Sequence, residues 1–183
     1  LLGYGSGGHI GLENVASFIS IPLAVSRLEI PVIAAGGICN GNGFLGALAM
    51  GAEAVLMGTA FMMTQECNVH QNIKDRLLET KETDTALLLT TLMNPVRCIK
   101  NKLADECLAI EAEGADFEKI INTVAGGKGQ VAYDSGDPDG APIACGQIAG
   151  CIDEIKTVEQ VIDNILAEAE QLMGRLNTLA SVS

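Results

Sequence analysis

Pro31-Val32-Ile33-Ala34-Ala35-Gly36-Gly37 and Ala54-Val55-Leu56-Met57-Gly58-Thr59 are two short apolar runs that each stop at glycine, with Gly58 standing 21 positions after Gly37. That spacing fits one βα unit: a turn, a three-turn helix, a loop and a buried strand. Glycine at the carboxyl end of a strand permits positive φ and lets bare backbone N–H groups approach a ligand. Two such ends side by side make a cradle for phosphate. A third glycine-marked stretch, Gly7-Gly8-His9-Ile10-Gly11, precedes them. The chain therefore reads as part of a parallel α/β protein that holds a phosphorylated cofactor.

The composition agrees. Of 183 residues 48% are apolar and 3% aromatic, with 21 glycines and no tryptophan. Such a mixture suits helices packed closely on strands of continuous apolar residues. A net charge of −12 argues against nucleic acid, which demands clustered Lys and Arg. No apolar stretch is long and uninterrupted enough to span a membrane, and no signal peptide is evident, so a cytoplasmic protein is expected. The chain opens on Leu1-Leu2 and not on methionine, so its true start is expected to lie further upstream. Cys39, Cys67, Cys98, Cys107, Cys145 and Cys151 are scattered without metal-ligand spacing, which predicts reduced, mostly buried thiols and no metal.

Along the chain, Val15 to Leu28 predicts a helix broken or restarted at Pro22. Asn42 is placed to cap a helix through Met50, with Gly51 as the left-handed residue after it. Beyond residue 66 the text is mainly helical. Val69 to Lys81 buries Ile73, Leu77 and Leu78, and Thr85 to Thr91 suits a short strand. Asn94-Pro95 reads as a helix start, followed by Val96, Ile99, Leu103, Cys107 and Ile110 at helical spacing. Asp116 caps a helix that turns Phe117, Ile120, Ile121 and Val124 inward and closes at Gly126-Gly127. Residues 126–146 carry the Gly, Asp and Pro of turns. Thr157 and Gln160 form a capping box for the last helix, whose stripe runs from Val158 to Met173.

His9 lies among residues too small to bury it. A histidine there is free to meet a substrate, and imidazole is the side chain most often used as a general base; the alternative is a solvent-exposed loop histidine. His70 reads as a polar surface residue. Lys128 and Tyr133, in the glycine-rich loop, together with Gln147, are candidates for lining an entrance. The methionines Met57, Met62 and Met63 read as core filler.

Taken in order, Ser6-Gly7-Gly8-His9-Ile10-Gly11, Pro31 to Ile38, Met50-Gly51-Ala52-Glu53-Ala54-Val55, Met57-Gly58-Thr59-x-Phe61, Val69-His70-Gln71-Asn72-x-Lys74, Arg97-x-x-Lys100-Asn101 and Gly146-Gln147-Ile148-Ala149-Gly150 resemble the nitronate monooxygenase family, also called 2-nitropropane dioxygenases. His9-Ile10-Gly11 and Gly146 to Gly150 resemble the FMN-dependent enoyl-acyl-carrier-protein reductases equally well.

The resemblance implies a TIM (β/α)8 barrel with FMN at its carboxyl-terminal face. Gly36 and Gly37 match the end of the seventh strand, and Gly58 and Thr59 the end of the eighth. These four, with Gly7 and Gly8, are expected to hold FMN, and His9 matches the active-site histidine. Residues 1–66 would be the last βα units of the barrel, 67–140 a small helical lid, and 141–183 a return segment with the final barrel helix. The expected activity is oxidation of alkyl nitronates by O₂, with no nucleic-acid or membrane partner and with homo-oligomerisation possible. Enoyl-thioester reduction with NAD(P)H and a catalytically incomplete fragment are the alternatives. Two departures stand out: Gly3-Tyr4-Gly5-Ser6 lacks the acidic residue usual near this turn, and a full barrel takes about 250 residues. An apolar parallel strand left at an open edge is expected to pair with another chain or aggregate.

Overall fold

The computed structural model describes residues 1–124 and 127–181. In chain order its first half comprises β1 (Gly8–His9), α1 (Ser17–Arg27), β2 (Ile33–Ala35), α2 (Gly41–Ala49), β3 (Ala54–Leu56), α3 (Thr59–Met62) and α4 (Gln71–Leu78). The second half comprises β4 (Thr85–Leu88), β5 (Val96–Ile99), α5 (Lys102–Ala112), α6 (Phe117–Val124), α7 (Lys128–Ser135), a 3₁₀ turn (Gln147–Cys151) and α8 (Val158–Ala180). Among the described residues no helix is long and apolar enough to cross a membrane.

β2 and β3 run parallel, Ile33 opposite Ala54 and Ala35 opposite Leu56. The chain start extends this ladder: Leu2 bridges Ala35 in parallel, and the Ala35 N–H donates to the Leu1 carbonyl at 2.8 Å. Ala34, Ile38, Ala47, Ala52 and Ile21 form the core between these strands and α1 and α2. Small residues let α2 lie close to α8. A Cβ on Gly41 would sit 2.6 Å from the Ala169 nitrogen, and the Gly41 N–H donates instead to Glu168 Oε2 at 2.7 Å. The result is a parallel α/β arrangement, and among the described residues the strands do not close into a barrel.

A second sheet is antiparallel, in the order β1-β5-β4. Its inner face packs on α5 and α6 through Ala86, Leu88, Cys98, Ala104, Cys107 and Ile120. A third cluster (Met63, Ile73, Leu77, Ile99, Ile143, Ala149) packs α4 and the segments after α3 and α7 against β5. Lys74 is buried there without a carboxylate among its hydrogen-bond partners. Its ammonium donates to the Thr64 and Cys67 carbonyls at 2.6 and 2.7 Å, fixing the link between α3 and α4.

Several expectations are corrected. The segment 67–140 is not simply helical, because Val96–Ile99 is a strand and α5 begins after Asn101, whose side chain accepts the Ala104 N–H at 2.8 Å. Arg97, Cys98 and Ile99 are all buried between flanking strands, and that burial outweighs a helical spacing shared by chance with α5. α1 passes through Pro22 without restarting, although only Ile21 of it is buried and Phe18 is 80% exposed. Asn40, not Asn42, caps α2, accepting the Gly43 N–H at 2.9 Å. The expected turn region holds α7, set between Gly127 (φ 76°) and Gly136 (φ 74°), both left-handed. Phe117 points outward, 64% exposed, while Ile120 is buried as expected. Gly126 lies outside the described residues. His70 is the N-cap of α4, its Nδ1 accepting the Asn72 N–H at 3.1 Å. Gly51 (φ 96°), the Asp116 cap and the Thr157–Gln160 capping box stand where the sequence put them.

Candidate functional site

The carboxyl ends of β2 and β3 open into a cleft of about 310 Å³. Gly36 and Gly37 turn there at φ 87° and 78°, a region L side chains rarely adopt. Ser6 lies directly beneath Gly36, so any side chain on that glycine would collide with the serine. Gly58 differs: its φ is −96°, and no atom lies within 4 Å of where its Cβ would stand. That empty volume belongs to the cleft, which Gly58 lines.

Thr59 links the floor to the far wall. Its Oγ1 accepts the Gly146 N–H at 2.9 Å, which leaves the hydroxyl proton free to be donated. Residues 5–7 are zipped to the same turn: the Gln147 N–H donates to the Gly5 carbonyl at 3.0 Å, and a Cβ on Gly7 would come 2.6 Å from the Gly146 nitrogen. Tyr133, from α7, forms part of the rim, and its phenol oxygen accepts the Ala144 N–H at 3.1 Å. Burial pushes that phenol above its ordinary pKa, so it stays protonated and keeps a proton to donate.

The cleft thus gathers Gly7, Gly8, Gly36, Gly37, Gly58, Thr59 and Tyr133 from four segments of chain. Ser6, Ala144 and Gly146 also line it, which the sequence reading did not assign to the site, and so do Met57 and Met62, which it read as core filler; Met63 alone of the three is fully buried. Ser6 and Gly146 were legible only as parts of quoted motifs; Ala144 and Met62 carry no signal beyond being apolar. Among the described residues no charged side chain faces the cleft, although the chain carries −12. Its polar groups are backbone amides and three hydroxyls, and the rest is aliphatic. Such a lining admits an anion to the amides and a flat apolar ring against the aliphatic wall.

His9, Gln147 and Lys128 are not on the cleft wall. Gln147 sits between two residues that are, Gly146 and Ile148. Lys128 is turned away: its ammonium donates to the Asn122 and Thr123 carbonyls at 2.7 and 2.9 Å, closing the carboxyl end of α6. Those carbonyls hold its charge, and Lys128 does not line the cleft. His9 is exposed in β1, beside Gly8, and its Nδ1 lies 3.0 Å from Asn94 Oδ1.

None of the six cysteines is paired, and Cys98, Cys107 and Cys145 are buried. Burial pushes the Cys98 and Cys145 thiols up to about 12 and Cys107 to about 11. All three are protonated at neutral pH and are poor nucleophiles.

The turn before Asn94 is held by one carboxylate. Glu111 accepts from the N–H groups of Leu89 and Thr91 at 2.9 and 3.1 Å, and from the Thr91 and Thr90 hydroxyls at 2.7 and 3.4 Å. Desolvation pushes its pKa up, but the bonds from Thr91, Leu89 and Thr90 outweigh that and leave it below the ordinary value. A carboxylate depressed in the folded state stabilises the fold above its unfolded pKa, and the gain is lost as pH falls through the folded value. We expect Glu111→Ala to lose about 1–3 kcal/mol at neutral pH, the cost of stranding buried donors. Chemical denaturation of both proteins should show the gap narrowing below the ordinary glutamate range. A gap constant with pH would mean that the carboxylate's charge plays no part.

Parallel strands ending in glycine turns, backed by helices and opening at their carboxyl ends into a ligand-sized cleft, define an α/β protein whose site lies where such folds bind phosphorylated ligands. The nitronate monooxygenase family profile matches residues 1–168, and the chain belongs to that family. A probable nitronate monooxygenase of Staphylococcus aureus (strain MSSA476) is 31% identical over 176 residues, covering 92% of this chain and 49% of that protein. The chain spans about half the length of the curated relatives it matches. Among solved structures, FabK from Thermotoga maritima superposes with a TM-score of 0.89 at 36% identity, over 97% of this chain and 56% of that one. Nitroalkane oxidase from Streptomyces ansochromogenes, at 24% identity and a TM-score of 0.75 over 96% of this chain and 52% of its own, shares the fold.

Proposed function

We propose that these residues form the carboxyl-terminal half of an FMN-dependent oxidoreductase that converts alkyl nitronates and O₂ to carbonyl compounds and nitrite. The observation behind this reading is the uncharged cleft at the ends of β2 and β3 in a strongly acidic chain. FMN fits it: Gly36, Gly37, Gly58 and Thr59 would hold the phosphate through backbone amides and the free Thr59 proton. Gly7 and Gly8 would line the approach. When bound, FMN supplies an electron-accepting ring.

The chain's own residues would do the rest. His9, beside Gly8, would remove the α-proton of a neutral nitroalkane or face the nitronate anion. Ile38 and Met62 would exclude water from the apolar side. Residues 67–140 would act as a cover, to which Tyr133 contributes one hydroxyl, while 141–183 would return the chain and carry α8 onto α2.

The likeness to FabK favours a second reading, reduction of an enoyl thioester by NAD(P)H at the same cleft. That reaction brings two large anionic ligands, which a basic entrance would steer. The chain has 11 Lys and Arg against 23 Asp and Glu, and none of them faces the cleft. Anaerobic mixing of the full-length protein should therefore give rapid flavin bleaching with an alkyl nitronate and slow bleaching with NADPH. Fast bleaching by NADPH, with recolouring by crotonyl thioester, would transfer the assignment to the reductase.

A further inference from the structure

We propose that Asn94 is the positioning residue for His9: it fixes the imidazole as the Nδ1–H tautomer and leaves Nε2 as the proton acceptor. The inference deepens the reading of His9 as a base and rests on it for its catalytic meaning, though not for its geometry. The two side chains are 85 positions apart and meet at 3.0 Å, His9 Nδ1 to Asn94 Oδ1. Two backbone devices bring them together. His9 pairs with Val96 in the antiparallel ladder, and the Ile10 N–H donates to the Pro95 carbonyl at 3.1 Å.

Asn94 itself closes a tight turn. Its N–H and that of Leu92 both reach the Leu89 carbonyl at 3.2 Å, and the Glu111 carboxylate grips Leu89, Thr90 and Thr91 from below. Leu89 and Met93 stand at φ 60° and 55°, where residues with a Cβ are strained. Such strain persists where the surroundings over-determine the backbone, and it gathers at functional sites. The turn is built to present Asn94 to His9.

The chemistry follows from the donor inventory. An amide oxygen has no hydrogen to give, so the nitrogen facing it must carry the proton, and in a neutral ring the other nitrogen then keeps its lone pair. Among the described residues Nε2 has no hydrogen-bond partner. His70 supplies an internal contrast. Its Nδ1 accepts a backbone N–H from Asn72, so its proton must be on Nε2. The chain has two histidines, and the structure gives them opposite tautomers.

The test is a ¹⁵N–¹H histidine side-chain spectrum of the protein, raised in pH until no imidazolium signal is left and assigned with His70→Gln. The wild-type protein should show His9 as Nδ1–H and His70 as Nε2–H. Asn94→Ala should move only His9 to Nε2–H, and Asn94→Asp, which keeps an acceptor, should restore Nδ1–H. An Nε2–H signal from His9 in the wild-type protein, or no change in Asn94→Ala, overturns the proposal. In the full-length flavin-loaded protein, Asn94→Ala should lower turnover of a neutral nitroalkane about 10–10²-fold, less than loss of the base itself. A changed tautomer with unchanged turnover would uphold the positioning and reject His9 as the base.

Discussion

Full-length protein carrying Gly58→Val is expected to purify colourless and folded. The backbone of Gly58 lies at φ −96°, open to any residue, and its Cβ position is surrounded by empty space. Valine should therefore be accepted there without strain, with its branches in the volume that the proposed FMN phosphate would occupy. Gly36 is the contrasting case. It stands at φ 87° with Ser6 against it, so Gly36→Val should lose stability together with flavin. The two variants separate a blocked cradle from a broken one: flavin absorbance per protein falls in both, and melting temperature falls only in Gly36→Val. Full flavin occupancy in Gly58→Val would show that the phosphate lies elsewhere.

Replacing His9 with alanine should leave FMN bound and lower turnover of a neutral nitroalkane by about 10²–10⁴-fold, the usual worth of a positioned proton acceptor. Because His9 is exposed, the fold should be unaffected. Pre-formed nitronate has already lost the proton in question, so its turnover should fall far less. Equal losses on the two forms would identify His9 as an anion-binding group and not a base.

The glycine-ended strands, the Thr157 capping box and the left-handed Gly51 were legible because each depends on residues close together in sequence. Asn40 and Asn42 show the limit of that legibility. Both are good N-caps flanked by glycine, and the choice falls to Asn40 because the chain leaves the Gly36-Gly37 turn extended at that residue, φ −145°. β5 was misread for a different reason. Val96 and Ile99 continue the spacing of α5 backwards, and only the partners on either side, β1 and β4, decide for a strand. The helix of α7 was hidden by Gly127, Gly129 and Gly136. Two of these are left-handed and bound the helix; they do not break it. The site was half legible. Gly36, Gly37, Gly58 and Thr59 announce themselves, whereas Ser6 beneath Gly36 and Gly146 on Thr59 are contacts made by folding. Asn94 carries no local mark of its contact with His9.

The Thr59–Gly146 hydrogen bond spans 87 positions, and that distance has a consequence for how the molecule is made. Translation adds about 5–20 residues per second, so on the order of 10 s separates synthesis of His9 from synthesis of Gly146. Until Val96–Ile99 has been made β1 has no β5 to pair with, and until Gly146 follows the carboxyl ends of β2 and β3 lack their far wall. Local units such as α1 and α2 form within the nascent chain, but closing such long loops is slow. The cleft is therefore a late product of folding. A chain arrested before Gly146 leaves the ribosome exposing the aliphatic lining of a binding site to everything around it.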